Sequence, residues 1–276
     1  MKLSKNAVST IIILVSLATV LGLSGVSYII PQTPPKAPPD ETAEGNQAQS
    51  QPLGMEKVSF KTQDNVAITA NLYAVSNPKG WIIFSHMMPA VKESWGDLAN
   101  VLAGAGFEGL AIDLRGHGES GGGPDGYKSF SDAETQKSIA DLEVAAGYLV
   151  NQRGAAPTKI SVIGASIGAN LSLELMSVHP EVARAVLLSP GLDYHGVITE
   201  PMVQKLKAGQ KVFFVSSKDD VRSGGNNAEQ NQKLYDAIPE GIGKEIKIYD
   251  TAGHGTAILE KQPELQQLIM DFLNRI

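Results

Sequence analysis

The five residues Gly164-Ala165-Ser166-Ile167-Gly168 constrain this chain more than any other stretch of its length. Before them runs an apolar, β-branched segment, Lys159-Ile160-Ser161-Val162-Ile163. After them, residues 169–178 repeat apolar positions at helical spacing. A strand that passes into a helix through Gly-x-Ser-x-Gly makes a sharp turn, and the turn lifts one serine oxygen clear of the sheet. Such a turn is too crowded for a Cβ at the glycine positions. The amide after the serine, here that of Ile167, comes to a helix N-terminus, where free N–H groups and the dipole favour a developing oxyanion.

The rest of the chain suits that turn. From residue 55 onward strand and helix patterns alternate. Strands are expected at 58–62, 67–74, 81–85, 108–113, 160–164, 185–189, 211–216 and 244–249. Helices are expected at 95–105, at 131–151 and at 264–276, besides the one after Ser166. Apolar strands separated by helices are buried on both faces, which predicts an α/β fold with a mostly parallel, doubly wound sheet. Ligands of such sheets bind beyond the carboxyl ends of the strands.

Composition narrows the functional classes. A net charge of −6 leaves no basic patch, so nucleic acid is not expected as a partner. The chain has no cysteine, which excludes disulfides, thiolate chemistry and Cys-ligated zinc. No metal-ligand cluster and no dinucleotide fingerprint is visible, so neither metal nor cofactor is expected. Three regions are expected. Residues 1–30 carry Lys2 and Lys5 ahead of an uncharged apolar run of 24 residues from Ala7 to Ile30, long enough for a membrane helix, so they read as an anchor or signal sequence. Positive charge before that run predicts a membrane partner through the N-terminal helix and an extracytoplasmic domain, secreted if the segment is cleaved. Residues 31–54, rich in proline, read as a disordered linker, and residues 55–276 as the folded domain.

A serine hydroxyl is a poor nucleophile at neutral pH. It needs a base within hydrogen-bond reach, and the base needs an acid to hold its tautomer. Ser217-Lys218-Asp219-Asp220 follows the strand at 211–216, and Ala252-Gly253-His254-Gly255 follows the strand at 244–249. Serine, acid and histidine then come in that order, each after its own strand. His86-Met87-Met88-Pro89 follows the strand at 81–85 and would bring a backbone N–H over the serine.

With the elbow, the His254 loop, Phe84-Ser85-His86 and Asp113-Leu114-Arg115-Gly116-His117-Gly118-Glu119-Ser120 in hand, the chain resembles an α/β-hydrolase over residues 55–276. It is similar to small lidless esterases and to dienelactone-hydrolase-like proteins. The resemblance implies an eight-stranded sheet without a large cap domain. It also implies a serine hydrolase cleaving carboxylic esters of small molecules through an acyl-enzyme. In that reading Ser166 is the nucleophile, His254 the base, and Met88 and Ile167 the oxyanion donors. Counting from Ser217 gives Asp220 as the acid and counting from Ser216 gives Asp219; Asp220 is preferred, and the other is expected to be a solvated loop carboxylate. Two departures stand out: dienelactone hydrolases proper use a cysteine nucleophile, and His86 is followed by Met87 where the family usually has glycine. A peptidase or acyltransferase on the same triad, and a non-catalytic surface binding protein with this fold, are the alternatives.

Overall fold

The computed structural model describes residues 51–275. In chain order they form β1 (Gln51–Lys61), β2 (Ala67–Ser76), β3 (Gly80–Ser85), α1 (Gly96–Gly104), β4 (Phe107–Ile112), α2 (Asp132–Gln136) and α3 (Ile139–Arg153). Then follow β5 (Ile160–Ala165), α4 (Ile167–Val178), β6 (Arg184–Leu188), the hairpin β7 (Asp193–Tyr194) and β8 (Val197–Ile198), and α5 (Glu200–Val203). The last part comprises β9 (Lys211–Ser217), the hairpin β10 (Val221–Arg222) and β11 (Gly225–Asn226), α6 (Asn227–Ala237), β12 (Gly243–Tyr249), α7 (Ala257–Lys261) and α8 (Glu264–Asn274).

Eight strands make one sheet in the order β1-β2-β4-β3-β5-β6-β9-β12. β2 is antiparallel to both β1 and β4, and every other pairing is parallel. Successive side chains of a strand face opposite sides, and in β3 both sides are apolar. Ile83 packs into one core layer with Leu142 and Leu149 of α3 and Leu171 of α4. Ile82 and Phe84 pack into the other, with Leu98 of α1 and Phe272 of α8. This double burial explains why the central strands read as continuous apolar runs. The segment between β6 and β9 holds only the β7–β8 hairpin and the one-turn α5.

Four expectations are corrected. The linker was to reach residue 54, but residues 51–54 already belong to β1, with Pro52 on the sheet's edge strand, where a missing N–H is tolerated. The helix expected at 131–151 divides into α2 and α3. Between them Lys137, Ser138, Ala140 and Asp141 donate their N–H groups three residues back, to Glu134, Thr135, Lys137 and Ser138, a tighter winding than the α-helix. α6 was not expected at all. The membrane-spanning anchor on residues 1–30, and the extracytoplasmic placement built on it, fall outside the described residues; among those described, no helix is long and apolar enough to cross a membrane, and that assignment is withdrawn.

Candidate active site

Ser166 stands between β5 and α4 at φ 54° and ψ −122°, a conformation L-residues rarely adopt. Packing holds it there. The Ser166 N–H donates to the Leu188 carbonyl of β6 at 2.9 Å, while its own carbonyl accepts from Ala169 and Asn170 in the first turn of α4. A Cβ on Gly164 would run into the Gly168 carbonyl, and one on Gly168 into the carbonyl oxygens of Ser85 and His86. The two glycines therefore let α4 press against the strand ends closely enough to expose the serine.

Asp220 and His254 meet beyond the ends of β9 and β12. His254 Nδ1 lies 2.6 Å from Asp220 Oδ2, and the Asp220 side chain is 2% exposed and that of His254 10%. The other Asp220 oxygen accepts from Arg222 Nε at 2.9 Å. Burial works to raise the Asp220 carboxyl, but the hydrogen bond and charge of His254, and then Arg222, hold it below the usual carboxylate range.

Asp219 is exposed on its loop, as expected of the unused acid, but its carboxylate is engaged. Its Oδ1 accepts from Ser217 Oγ, from the Gly253 N–H at 2.9 Å and from the Ala252 N–H at 3.1 Å. Ser217 and then Gly253 lead in drawing its carboxyl down to about 2. Asp219 thus ties the end of β9 to the loop that carries His254. From the other side, Ser189 Oγ accepts the Gly255 N–H at 3.0 Å.

A cavity of about 630 Å³ opens over Ser166. Met88 and Ile167 line it, and among the described residues neither of their amides has a hydrogen-bond partner. His86, fully buried behind this wall, accepts the Leu114 N–H on Nε2 at 3.0 Å and places Nδ1 3.0 Å from the Met87 carbonyl. The β3 end is thereby fastened to the β4 end. Burial and then the neighbouring His117 push the His86 imidazole down to about 4, so it stays neutral.

Among the cavity residues that sequence reasoning missed, two bear on the chemistry. Tyr194, on the β7–β8 hairpin, lines the cavity with Ser166; its hydroxyl donates to the Ser189 carbonyl at 3.5 Å and accepts from Asn227 Nδ2 at 3.3 Å. Burial, then the Asp220 charge, push its phenol up to about 12, so the hydroxyl keeps its proton. Its ring meets His254 edge-on with centroids 6.4 Å apart. Arg222 is the second, and its place two residues after the acid was the available signal. His195 also lines the cavity.

The model of a family described as serine aminopeptidase, S33, matches residues 76–217, just over half of the chain. Among curated proteins, the multifunctional-autoprocessing repeats-in-toxin of Vibrio cholerae serotype O1 is 31% identical over 113 residues, which cover 40% of this chain but 2% of that protein. This chain therefore spans only a small part of that relative. Among solved structures, an esterase from Pyrococcus furiosus superposes with a TM-score of 0.66 at 21% identity, covering 80% of this chain and 92% of that one. Acetyl xylan esterase 1 from Thermoanaerobacterium sp. gives 0.62 at 20% identity, covering 79% and 82%. At these identities the two structures are likenesses of fold. On the family match, with the eight-stranded sheet and the Gly-x-Ser-x-Gly turn between β5 and α4, the chain belongs to the serine aminopeptidase (S33) family of α/β-hydrolases.

Proposed function

We propose that the chain is a serine hydrolase that cleaves carboxylic esters of small molecules by way of an acyl-enzyme. The observation that carries this reading is the strained Ser166 facing a cavity, together with the Asp220–His254 pair at 2.6 Å beyond the ends of β9 and β12 of the same sheet. In the proposed reaction Ser166 Oγ attacks the ester carbonyl carbon while His254 Nε2 takes the hydroxyl proton. The carbonyl π electrons move onto oxygen, and the amides of Met88 and Ile167 donate to that oxyanion. Collapse breaks the bond to the alcohol, which leaves with the proton from His254. Water then adds to the acyl-enzyme with His254 again as base, and the acid leaves as the proton on His254 passes to Ser166 Oγ. Asp220 holds the Nδ1–H tautomer and offsets the imidazolium charge.

A fluorophosphonate should label Ser166 stoichiometrically, and Ser166→Ala should abolish labelling. Labelling that persists in the variant would reject the assignment, and a wild-type chain that resists the reagent would favour a purely binding role. The family's description supports a second reading, release of N-terminal residues from peptides by the same groups. Parallel assays with 4-nitrophenyl acetate and alanine 4-nitroanilide separate the two, the first being the substrate expected to turn over.

A further inference from the structure

We propose that Arg222 fits this cavity for esters whose leaving alcohol carries a carboxylate. The proposal rests on the ester-hydrolase reading, and its test keeps the two apart.

Arg222 follows Asp220 on the β10–β11 hairpin and lines the same cavity as Ser166. Only its Nε is committed, to Asp220 Oδ1 at 2.9 Å, and its side chain is 52% exposed. Among the described residues, Nη1 and Nη2 have no hydrogen-bond partner. That contact fixes the plane of the guanidinium and leaves its outer edge, two parallel N–H donors, to the cavity. This edge matches a carboxylate in a bidentate pair. Among the described residues lining the cavity, Arg222 is the one permanent cation. The cavity's carboxylate, Asp193, turns one oxygen into its own hairpin, accepting from the Gly196 N–H at 2.8 Å.

The sheet order assigns the side. Met88 follows β3 and Ile167 follows β5, whereas Arg222 and His254 follow β9 and β12, across β6. The carbonyl oxygen thus faces the β3 side. The leaving oxygen, which must collect its proton from His254, faces the β9 side where Arg222 stands. A substrate presenting a free ammonium there would meet like charge, which disfavours a peptide N-terminus at that end.

The test compares 4-acetoxybenzoate with its methyl ester, using the full chain, Arg222→Gln and Arg222→Lys. The readout is the ratio of kcat/KM for the anionic ester to that for the neutral one, so any effect on Asp220 common to both divides out. A charge-assisted hydrogen bond at a half-exposed site predicts that Arg222→Gln lowers this ratio about tenfold, with Arg222→Lys in between. Added salt should shrink the wild-type preference. Independently of any variant, 4-hydroxybenzoate should inhibit wild-type turnover of the neutral ester competitively and better than its methyl ester does. If both esters are cleaved in a Ser166-dependent manner but the ratio is the same in Arg222→Gln and the two phenols inhibit alike, the proposal is overturned and the esterase reading stands. If neither ester is cleaved by the wild-type chain, the esterase reading fails and this proposal with it.

Discussion

Two adjacent acids, Asp219 and Asp220, show how much a single position along a loop decides. Asp220 turns inward, its carboxylate shared between His254 and Arg222. Asp219 is exposed, yet its oxygen gathers a hydroxyl and two backbone amides from the loop that presents His254. Their substitutions should therefore differ in kind. Asp220→Asn presents an amide where the Nδ1–H needs an acceptor, favours the wrong tautomer, and should lower kcat by ~10³–10⁴ with the fold intact. Asp219→Asn keeps an acceptor oxygen and should be mild. Asp219→Ala removes it, lets the His254 loop shift, and should cost roughly 10- to 100-fold, since an ångström of misplacement is enough for that. Steady-state kinetics on 4-nitrophenyl acetate, with circular dichroism for the fold, would rank the three; an Asp219→Ala variant as active as wild type would show that the loop needs no such tie.

At the level of elements, the site is a set of loops at the carboxyl ends of parallel strands, each fastened to its neighbour. His86 joins the β3 and β4 ends through the Leu114 amide, and Ser189 joins the β6 end to the His254 loop through the Gly255 amide. Gly168 lets the turn of α4 lie directly on the β3 end. Gly168→Ala would drive a Cβ into two backbone carbonyls that cannot rotate away, so it should destabilise the fold by ~1–3 kcal/mol and distort the Met88 loop. Urea unfolding and fluorophosphonate labelling rates would measure both effects, and a variant with wild-type stability would show that α4 can retreat. The central strands were legible in the sequence because burial on both faces makes them unbroken apolar runs, and Ser166 and His254 because each sits in a short Gly-framed turn after such a run. α6 was not legible. Its buried face is Asn227, Ala228, Asn231 and Leu234, and the asparagines spend their amides on the Pro190 carbonyl instead of repeating an apolar stripe. Its start was marked only by Asn226, whose side chain accepts from Ala228 and Glu229. Tyr194 and Arg222 escaped because residues on such short hairpins follow no periodicity, and the partner of Tyr194, Asn227, lies in a different part of the chain.

Over the whole molecule, buried titratable groups pull the pH dependence of stability in two directions. Burial and then His117 hold the His86 imidazole at about 4, and burial lowers His117 as well. An unfolded histidine takes up its proton near 6.5, so between about 6.5 and 4 the unfolded chain holds the extra proton and stability falls as pH falls. Two carboxyls act the other way. Burial, then the charge of Glu143, raises Glu174 from 4.5 to about 7, and burial lifts Asp141 to about 6 in spite of Arg115. For these the folded chain holds the extra proton, so stability falls as pH rises through the interval between the unfolded and folded values. The opposed slopes overlap between about 4.5 and 6.5 and flatten the wild-type profile there. Removing one side should tilt it. Glu174→Gln keeps the side chain's size and hydrogen-bonding capacity but cannot ionise. It should stabilise the protein at about pH 8 by on the order of 1–3 kcal/mol, where wild-type Glu174 is forced to carry its charge, and by much less at about pH 5, where the folded protein keeps it neutral. His86→Gln should tilt the profile oppositely, its deficit against wild type shrinking as pH drops from about 7 to about 5. Urea midpoints across that range would read both, and a Glu174→Gln gain of the same size at either pH would mean that packing, not ionisation, is what the carboxyl costs the fold.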